Sequence, residues 1–306
     1  MGYDITNPLV IGISSRALFN LEEENLIFEK QGLKAYAEYE IAHETEPLQP
    51  GSAFQLVKAL LGLNKKDQQR VEVIVMSRNS PDTSLRIFNS IKHHGLAISR
   101  AALTGGAPLS PYLKAFHTDL FLSADAGDVK AAVDEGFAAA QIMPGPSVYD
   151  KDIEQIRIAF DGDAVLFSAE SERIYKTQGM AAFQENEATK ADIPLPEGPF
   201  ANFLKAIAHI QDEYGDRDKA PIRTALVTSR NAPAHERPIK TLRIWGVRID
   251  EAFFLGGIDK KEVLAAFGPH IFFDDQEIHT KPASEVVAAA RVPYRNGDDP
   301  TVQQEE

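Results

Sequence analysis

Cysteine is absent from all 306 positions, so neither a disulfide nor a thiolate metal site can form and thiol chemistry is excluded. No stretch approaches the ~20 uninterrupted apolar residues that a spanning helix requires, and a membrane is therefore not an expected partner. Basic surface is scarce as well. Lys and Arg number 32 against 45 Asp and Glu, a formal net charge of −13, and no Lys/Arg run forms a stripe. That balance disfavours a nucleic acid polymer, whose phosphate backbone selects a basic face. It does not disfavour a small phosphate compound, provided a metal ion and one or two placed cations supply the local positive field. Met1-Gly2-Tyr3-Asp4-Ile5-Thr6 has neither the basic nor the apolar region of a secretory leader, so a cytoplasmic location is expected.

The remaining composition is that of an ordinary globular protein, 43% apolar and 25% charged. The length suits roughly two domains of about 150 residues. The chain is in fact written twice. Val73-Ile74-Val75-Met76-Ser77-Arg78-Asn79-Ser80-Pro81 returns 152 residues later as Ala225-Leu226-Val227-Thr228-Ser229-Arg230-Asn231-Ala232-Pro233. Gly105-Gly106 returns as Gly256-Gly257 and Asp119–Ser123 as His270–Asp274, both 151 residues on. Val10–Phe19 resembles Arg157–Phe167, with the closing phenylalanines 148 residues apart. Matched landmarks in one order indicate an internal duplication, joined near the breaker cluster Pro144-Gly145-Pro146-Ser147.

Short apolar runs bounded by turn residues read as buried parallel strands: Leu9–Ile13, Glu72–Met76, Asp119–Leu122 and Ala138–Ile142, then Arg157–Phe160, Thr224–Val227, Ala252–Leu255 and Ile271–Phe273. Helical periodicity marks Ser52–Leu63, Asp82–His94, Phe200–Tyr214, Ala234–Trp245, Lys260–Phe267 and Ala283–Arg291. The alternation predicts an α/β protein of two Rossmann-like parallel-sheet halves, residues 1–150 and 151–294. A polar, proline-bearing segment of about 168–220 reads as an insertion over the site, and 295–306 as a disordered tail.

Ligands of open α/β sheets bind beyond the carboxyl ends of strands, so the residues just past each run carry the chemical information. In the second half these are Asp161-Gly162-Asp163, Thr228-Ser229, Gly256-Gly257 leading to Lys260, and Asp274-Asp275. Such a set fits phosphoryl transfer. Carboxylates can hold a hard cation, a hydroxyl and a lysine can bind non-bridging oxygens, and a second carboxyl can move a proton at the leaving oxygen. Asp274-Asp275 alone would equally cap the next helix, and Arg78 and Arg230 would equally pair with nearby acids. Phe183 and Phe200 in the insertion are candidates for stacking on a base, against a plain core role.

At these residues the sequence resembles the haloacid dehalogenase superfamily, whose first motif, Asp-x-Asp-x-Thr/Val after an apolar strand, stands here as Asp161-Gly162-Asp163-Ala164-Val165. More closely it resembles the cytosolic 5′-nucleotidase type I family. That likeness rests on Ile13-Ser14-Ser15-Arg16-Ala17-Leu18-Phe19, Ser77–Thr83, Asp161–Phe167 and Phe272-Phe273-Asp274-Asp275-Gln276, and it spans residues 8–294. It implies a haloacid dehalogenase-like second half with a cap-like insertion, Asp161 as nucleophile, Asp163 as acid/base, Thr228 as phosphate-binding hydroxyl and Lys260 as phosphate-binding lysine. Lys261, adjacent, is left open for that last role. It further implies Mg²⁺ held by Asp161, Asp274, Asp275 and the backbone carbonyl of Asp163, and nucleoside 5′-monophosphates as substrates, hydrolysed through an aspartyl-phosphate. Two alternatives stand beside this reading: a broader phosphatase or phosphotransferase of the superfamily, and a nucleotide-binding sensor without turnover. Assembly into a homo-oligomer is left open. The first half has Ser14-Ser15-Arg16 and Ser123-Ala124 where the second has acids, and is expected to be a degenerate copy that packs against the active one and helps bind the nucleoside.

Overall fold

The computed structural model describes residues 8–145, 154–216 and 219–300. Ten strands form one sheet. The first half supplies β1 (Leu9–Ile13), β2 (Val71–Ser77), β3 (Arg100–Leu103), β4 (Leu120–Ser123) and β5 (Ala139–Ile142). The second supplies β6 (Ile156–Phe160), β7 (Ile222–Thr228), β8 (Glu251–Phe254), β9 (Ile271–Asp274) and β10 (Ala289–Arg291). Their spatial order is β3-β2-β1-β4-β5-β10-β9-β6-β7-β8. Every pairing is parallel except the central one, β5 with β10. Each half therefore lays its five strands in the same relative order, and the two meet edge to edge.

One geometric consequence governs function. Because the seam is antiparallel, the carboxyl ends of the first half's strands lie along the edge of the sheet opposite to those of the second half. The rim residues of the first half, Ser14, Ser77 and Ser123, thus lie on the rim opposite to the one that carries Asp161.

Alternation along each strand builds the layers. Leu9, Ile11 and Ile13 face a core that runs across both halves to Ile158, Phe160 and Phe273. Val10 faces the other side, where each half has its own cluster, around Phe121 and Val129 in one and Phe272 and Leu264 in the other. β1 is buried at all five positions, as expected of a parallel strand covered on both faces.

The first half carries helices α1 (Ser15–Leu18), α2 (Glu22–Ala42), α3 (Phe54–Leu61), α4 (Leu85–His93), α5 (Ser110–Ala115) and α6 (Ala126–Asp134). The second carries α7 (Glu170–Thr189), α8 (Ala201–Asp212), α9 (Glu236–Ile244), α10 (Lys260–Phe267) and α11 (Glu277–Ala283). Two of these fold back on themselves. Gly32 in α2 and Gly179 in α7 have φ/ψ of 84°/179° and 85°/179°, a region open to glycine almost alone. Lys190 lies 2.7 Å from Glu170, and Ser171 donates to Glu187 at 2.8 Å. Residues 16 or 20 apart in a continuous helix would stand roughly 24–30 Å apart. Rings meet edge to face across both bends, Phe28 with Tyr36 and Tyr175 with Phe183, with centroids 6.0 and 6.2 Å apart. Each half thus carries a helical hairpin between its first and second strands.

Two expectations change. Ala283–Arg291, expected as helix, is the end of α11, a turn and strand β10, because pairing with β9 and β5 overrides the helical preference of alanine. Arg295 and Asn296, expected to be disordered, are folded onto the first half: Arg295 donates to the Val133 carbonyl and Asn296 to Asp134. Residues 301–306, like Pro146 and Ser147 of the expected join, lie outside the described residues. Among those residues no helix is long and apolar enough to cross a membrane.

Candidate active site

β6 delivers Asp161 at its carboxyl end, where the backbone N–H donates to the Phe273 carbonyl at 2.8 Å and fixes the turn against β9. Ser14 N–H makes the matching bond to Leu122 in the first half, also 2.8 Å, so Ser14 occupies the place of Asp161. β9 ends on Asp274, followed by Asp275. Carboxylate oxygens of Asp161, Asp274 and Asp275 lie within 4.8 Å of one another, and all three residues are buried. Asp274 also accepts from Gln276 N–H at 2.8 Å just before α11, whose N-cap Gln276 has no side-chain capping bond, so Asp274 sits in the cluster rather than on the helix end.

Lys260 reaches this cluster from the first turn of α10, whose N-cap Asp259 accepts from Lys261 N–H. Its Nζ donates to Asp161 Oδ1 at 2.8 Å and to Asp274 Oδ2 at 2.6 Å, with its side chain 1% exposed. Lys261 points away to Glu285 at the surface. The structure therefore brings Lys260, and not Lys261, to the acids. Thr228, 2% exposed, ends β7; its Oγ1 accepts from Arg230 N–H and would stand 3.5 Å from a Cβ placed on Gly162. Asp163 is turned elsewhere: both its oxygens accept from Arg230, at 2.7 and 2.8 Å.

Electrostatics follow from crowding three acids in a dry place. Burial raises Asp161, Lys260 opposes that, and Asp274 adds to it, leaving the carboxyl pushed up to about 6. Asp275 goes well above its ordinary value, through burial and then through Asp274, Glu172 and Asp161. Burial alone would depress Lys260, yet Asp161 and Asp274 hold it raised. One oxygen of Asp275, Oδ1, is buried with no hydrogen-bond partner, and the other accepts from Tyr294 O–H. An orphaned carboxylate oxygen facing an all-oxygen donor set is the chemistry of a hard divalent cation, so the residues fit one.

Two glutamates that sequence reasoning missed complete the surroundings, both on the α7 hairpin. Glu172 accepts from Tyr294 O–H at 2.9 Å, from Gln276 and from Lys176. Glu187 accepts from Arg230, Arg237 and Ser171. A signal was present: Glu187 follows Glu40 by 147 residues, as Gly179 follows Gly32. Phe183 packs under the Arg230 guanidinium at 5.2 Å, whereas Phe200 is fully buried against Phe203 and Phe273 and is core. Arg78 pairs with Asp128 in the first half. Beside Tyr294, a cavity of about 500 Å³ opens at the seam, lined by Val129 and Lys130 of α6 together with Arg291 and Arg295. The first half reaches the neighbourhood of the site through this helix.

The sequence profile of the 5′-nucleotidase family matches residues 1–299. The chain belongs to the 5′-nucleotidase family. Cytosolic 5′-nucleotidase 1B of Homo sapiens is 40% identical over 295 residues, covering 93% of this chain and 48% of that protein. This family member thus spans about half the length of the curated relative it matches. No solved structure matches it.

Proposed function

We propose that this chain is a phosphoric monoester hydrolase that splits nucleoside 5′-monophosphates into nucleoside and phosphate. The observation that carries the reading is the meeting of Asp161, Asp274, Asp275 and Lys260 within one buried cluster at the carboxyl rim, in a chain of this family. Asp161, Asp274 and Asp275 would hold Mg²⁺, with the backbone carbonyl of Asp163 as a further ligand; when bound, the ion offsets the repulsion between an anionic nucleophile and an anionic phosphate.

The chain's own residues do the rest. An Asp161 oxygen attacks phosphorus, the bond from phosphorus to the nucleoside oxygen breaks, and Asp163 gives that oxygen its proton, leaving nucleoside and an aspartyl-phosphate. Asp163 then takes a proton from water, whose oxygen attacks phosphorus and frees Asp161. Lys260 and the Thr228 hydroxyl hold the non-bridging oxygens while charge develops. The second half is read as haloacid dehalogenase-like, with the α7 hairpin and α8 as its cap-like segment, and the halves as copies of one ancestral unit. The matched strand order and paired hairpins support that reading. A cytoplasmic location accompanies it.

Phosphate release from a panel of nucleoside monophosphates and sugar phosphates tests the proposal. Nucleotides should be preferred, chelation should stop turnover, and Mg²⁺ should restore it. Preference for a non-nucleotide ester would refute the substrate class and favour a broader phosphatase.

A further inference from the structure

Arg230 is held in a buried clamp. Its fork donates from Nε and Nη2 to both oxygens of Asp163, at 2.8 and 2.7 Å, and its Nη1 donates to Glu187. Glu187 accepts in turn from Arg237 at 2.9 Å and from the Ser171 hydroxyl at 2.8 Å. The side chains of Arg230, Glu187 and Arg237 are 2%, 0% and 2% exposed, while Asp163 keeps 17%. Two carboxylates balance two guanidiniums, so the burial is paired, and Asp163 is the most exposed of the four.

The first half supplies an internal control. There Arg16 follows two residues after Ser14, as Asp163 follows Asp161, and a guanidinium cannot accept from an arginine. Arg78, the counterpart of Arg230, turns to Asp128 instead. Glu40, the counterpart of Glu187, is then left buried with both oxygens lacking hydrogen-bond partners and only Arg86 at 3.9 Å. The same scaffold closes the clamp only where there is an Asp163 to hold.

We propose that Glu187 and Arg230 are positioning residues for Asp163, through which the α7 hairpin aims that carboxyl group at the leaving oxygen. The proposal rests on the reading of Asp163 as acid/base. Guanidinium hydrogen bonds fix the plane of the carboxyl group, and each of its oxygens keeps a second lone pair at which a proton can be held. Glu187 fixes Arg230 in its turn, and Arg230 grips Asp163 with a planar bidentate geometry that lysine cannot reproduce.

The step being aimed is proton delivery to a poor leaving group, so leaving-group dependence reads it directly. kcat/KM, which covers events up to departure of the alcohol, would be compared for a nucleoside 5′-monophosphate and for p-nitrophenyl phosphate, whose phenolate leaves without a proton. Glu187→Gln and Arg230→Lys should each lower the nucleotide value by ~10²-fold and the aryl value by less than about fivefold, given the usual size of acid catalysis. The ratio of the two, taken on one sample, is independent of the fraction folded. Glu40→Gln in the first half should leave both values unchanged. Equal losses on both substrates would make the clamp merely structural and overturn the proposal, as would no loss on either. Failure of the unaltered protein to turn over any phosphate ester would sink the reading of the site itself.

Discussion

At the carboxyl end of its first strand the N-terminal half carries Ser14 and the C-terminal half Asp161; at the end of the fourth, Ser123 stands where the other half has Asp274. The surrounding frames are alike down to the glycine that bends each hairpin and the backbone bond that fixes each first turn. A frame of this kind therefore does not by itself gather acids. The second half adds three clustered acids and a buried lysine, and they come with costs: raised carboxyl groups and a lysine that burial alone would lower. The first half, free of those demands, carries neutral hydroxyls instead.

The widest separation between the halves should come from Asp161→Asn, which removes the proposed nucleophile and is expected to lower phosphate release by ~10⁴-fold or more, while Ser14→Ala changes it by less than about twofold. Steady-state assays of both variants decide it; comparable losses would mean that the first half's rim takes part. A smaller contrast comes from the bends. Gly32→Ala and Gly179→Ala should each cost about 1–3 kcal/mol in denaturant unfolding, because alanine tolerates neither backbone conformation. Only Gly179→Ala should also reduce nucleotide turnover, since it is the α7 hairpin whose Glu172 and Glu187 border the proposed site; equal effects on turnover would erase the distinction.

The finest contrast is in pH. Burial raises Glu40 to about 7, Arg86 opposing and Glu24 adding, from 4.5 in an exposed chain. Between those values the folded state binds the extra proton, so this group's support for the fold is complete below about 4.5 and is lost as pH rises through 7. Glu187, by contrast, is held below its ordinary value: burial raises it, but Arg230, Ser171 and Arg237 outweigh that. Glu40→Gln should accordingly melt higher than the unaltered protein at pH 8, with the gap closing toward pH 5; a gap independent of pH would show that Glu40 does not titrate in this range.

What the sequence disclosed depended on whether polarity and burial agreed. β1 and β6 read correctly because apolar runs are buried there, and the acids past them read as chemistry because a strand end is where a parallel sheet exposes side chains. The hairpins invert the rule. α2 exposes Leu26, Phe28, Leu33 and Ile41 and buries Glu24 and Glu40, so no apolar stripe marks it. α7 likewise exposes Tyr175 and Met180 and buries Glu172 and Glu187, which is why both glutamates beside the site escaped notice. β3 was missed because just one of its four residues is buried.

The seam between β5 and β10 rests on two residue pairs, Ile142 with Ala290 and Gln141 with Arg291. Small as it is, it leaves the ten-stranded array with two open flanks, β3 and β8, in place of the four that two separate sheets would show. Unpaired strand flanks are templates for unwanted association between molecules. By pairing with β10 through β5, the first half thus shields a flank one strand away from Asp274 from outside strands.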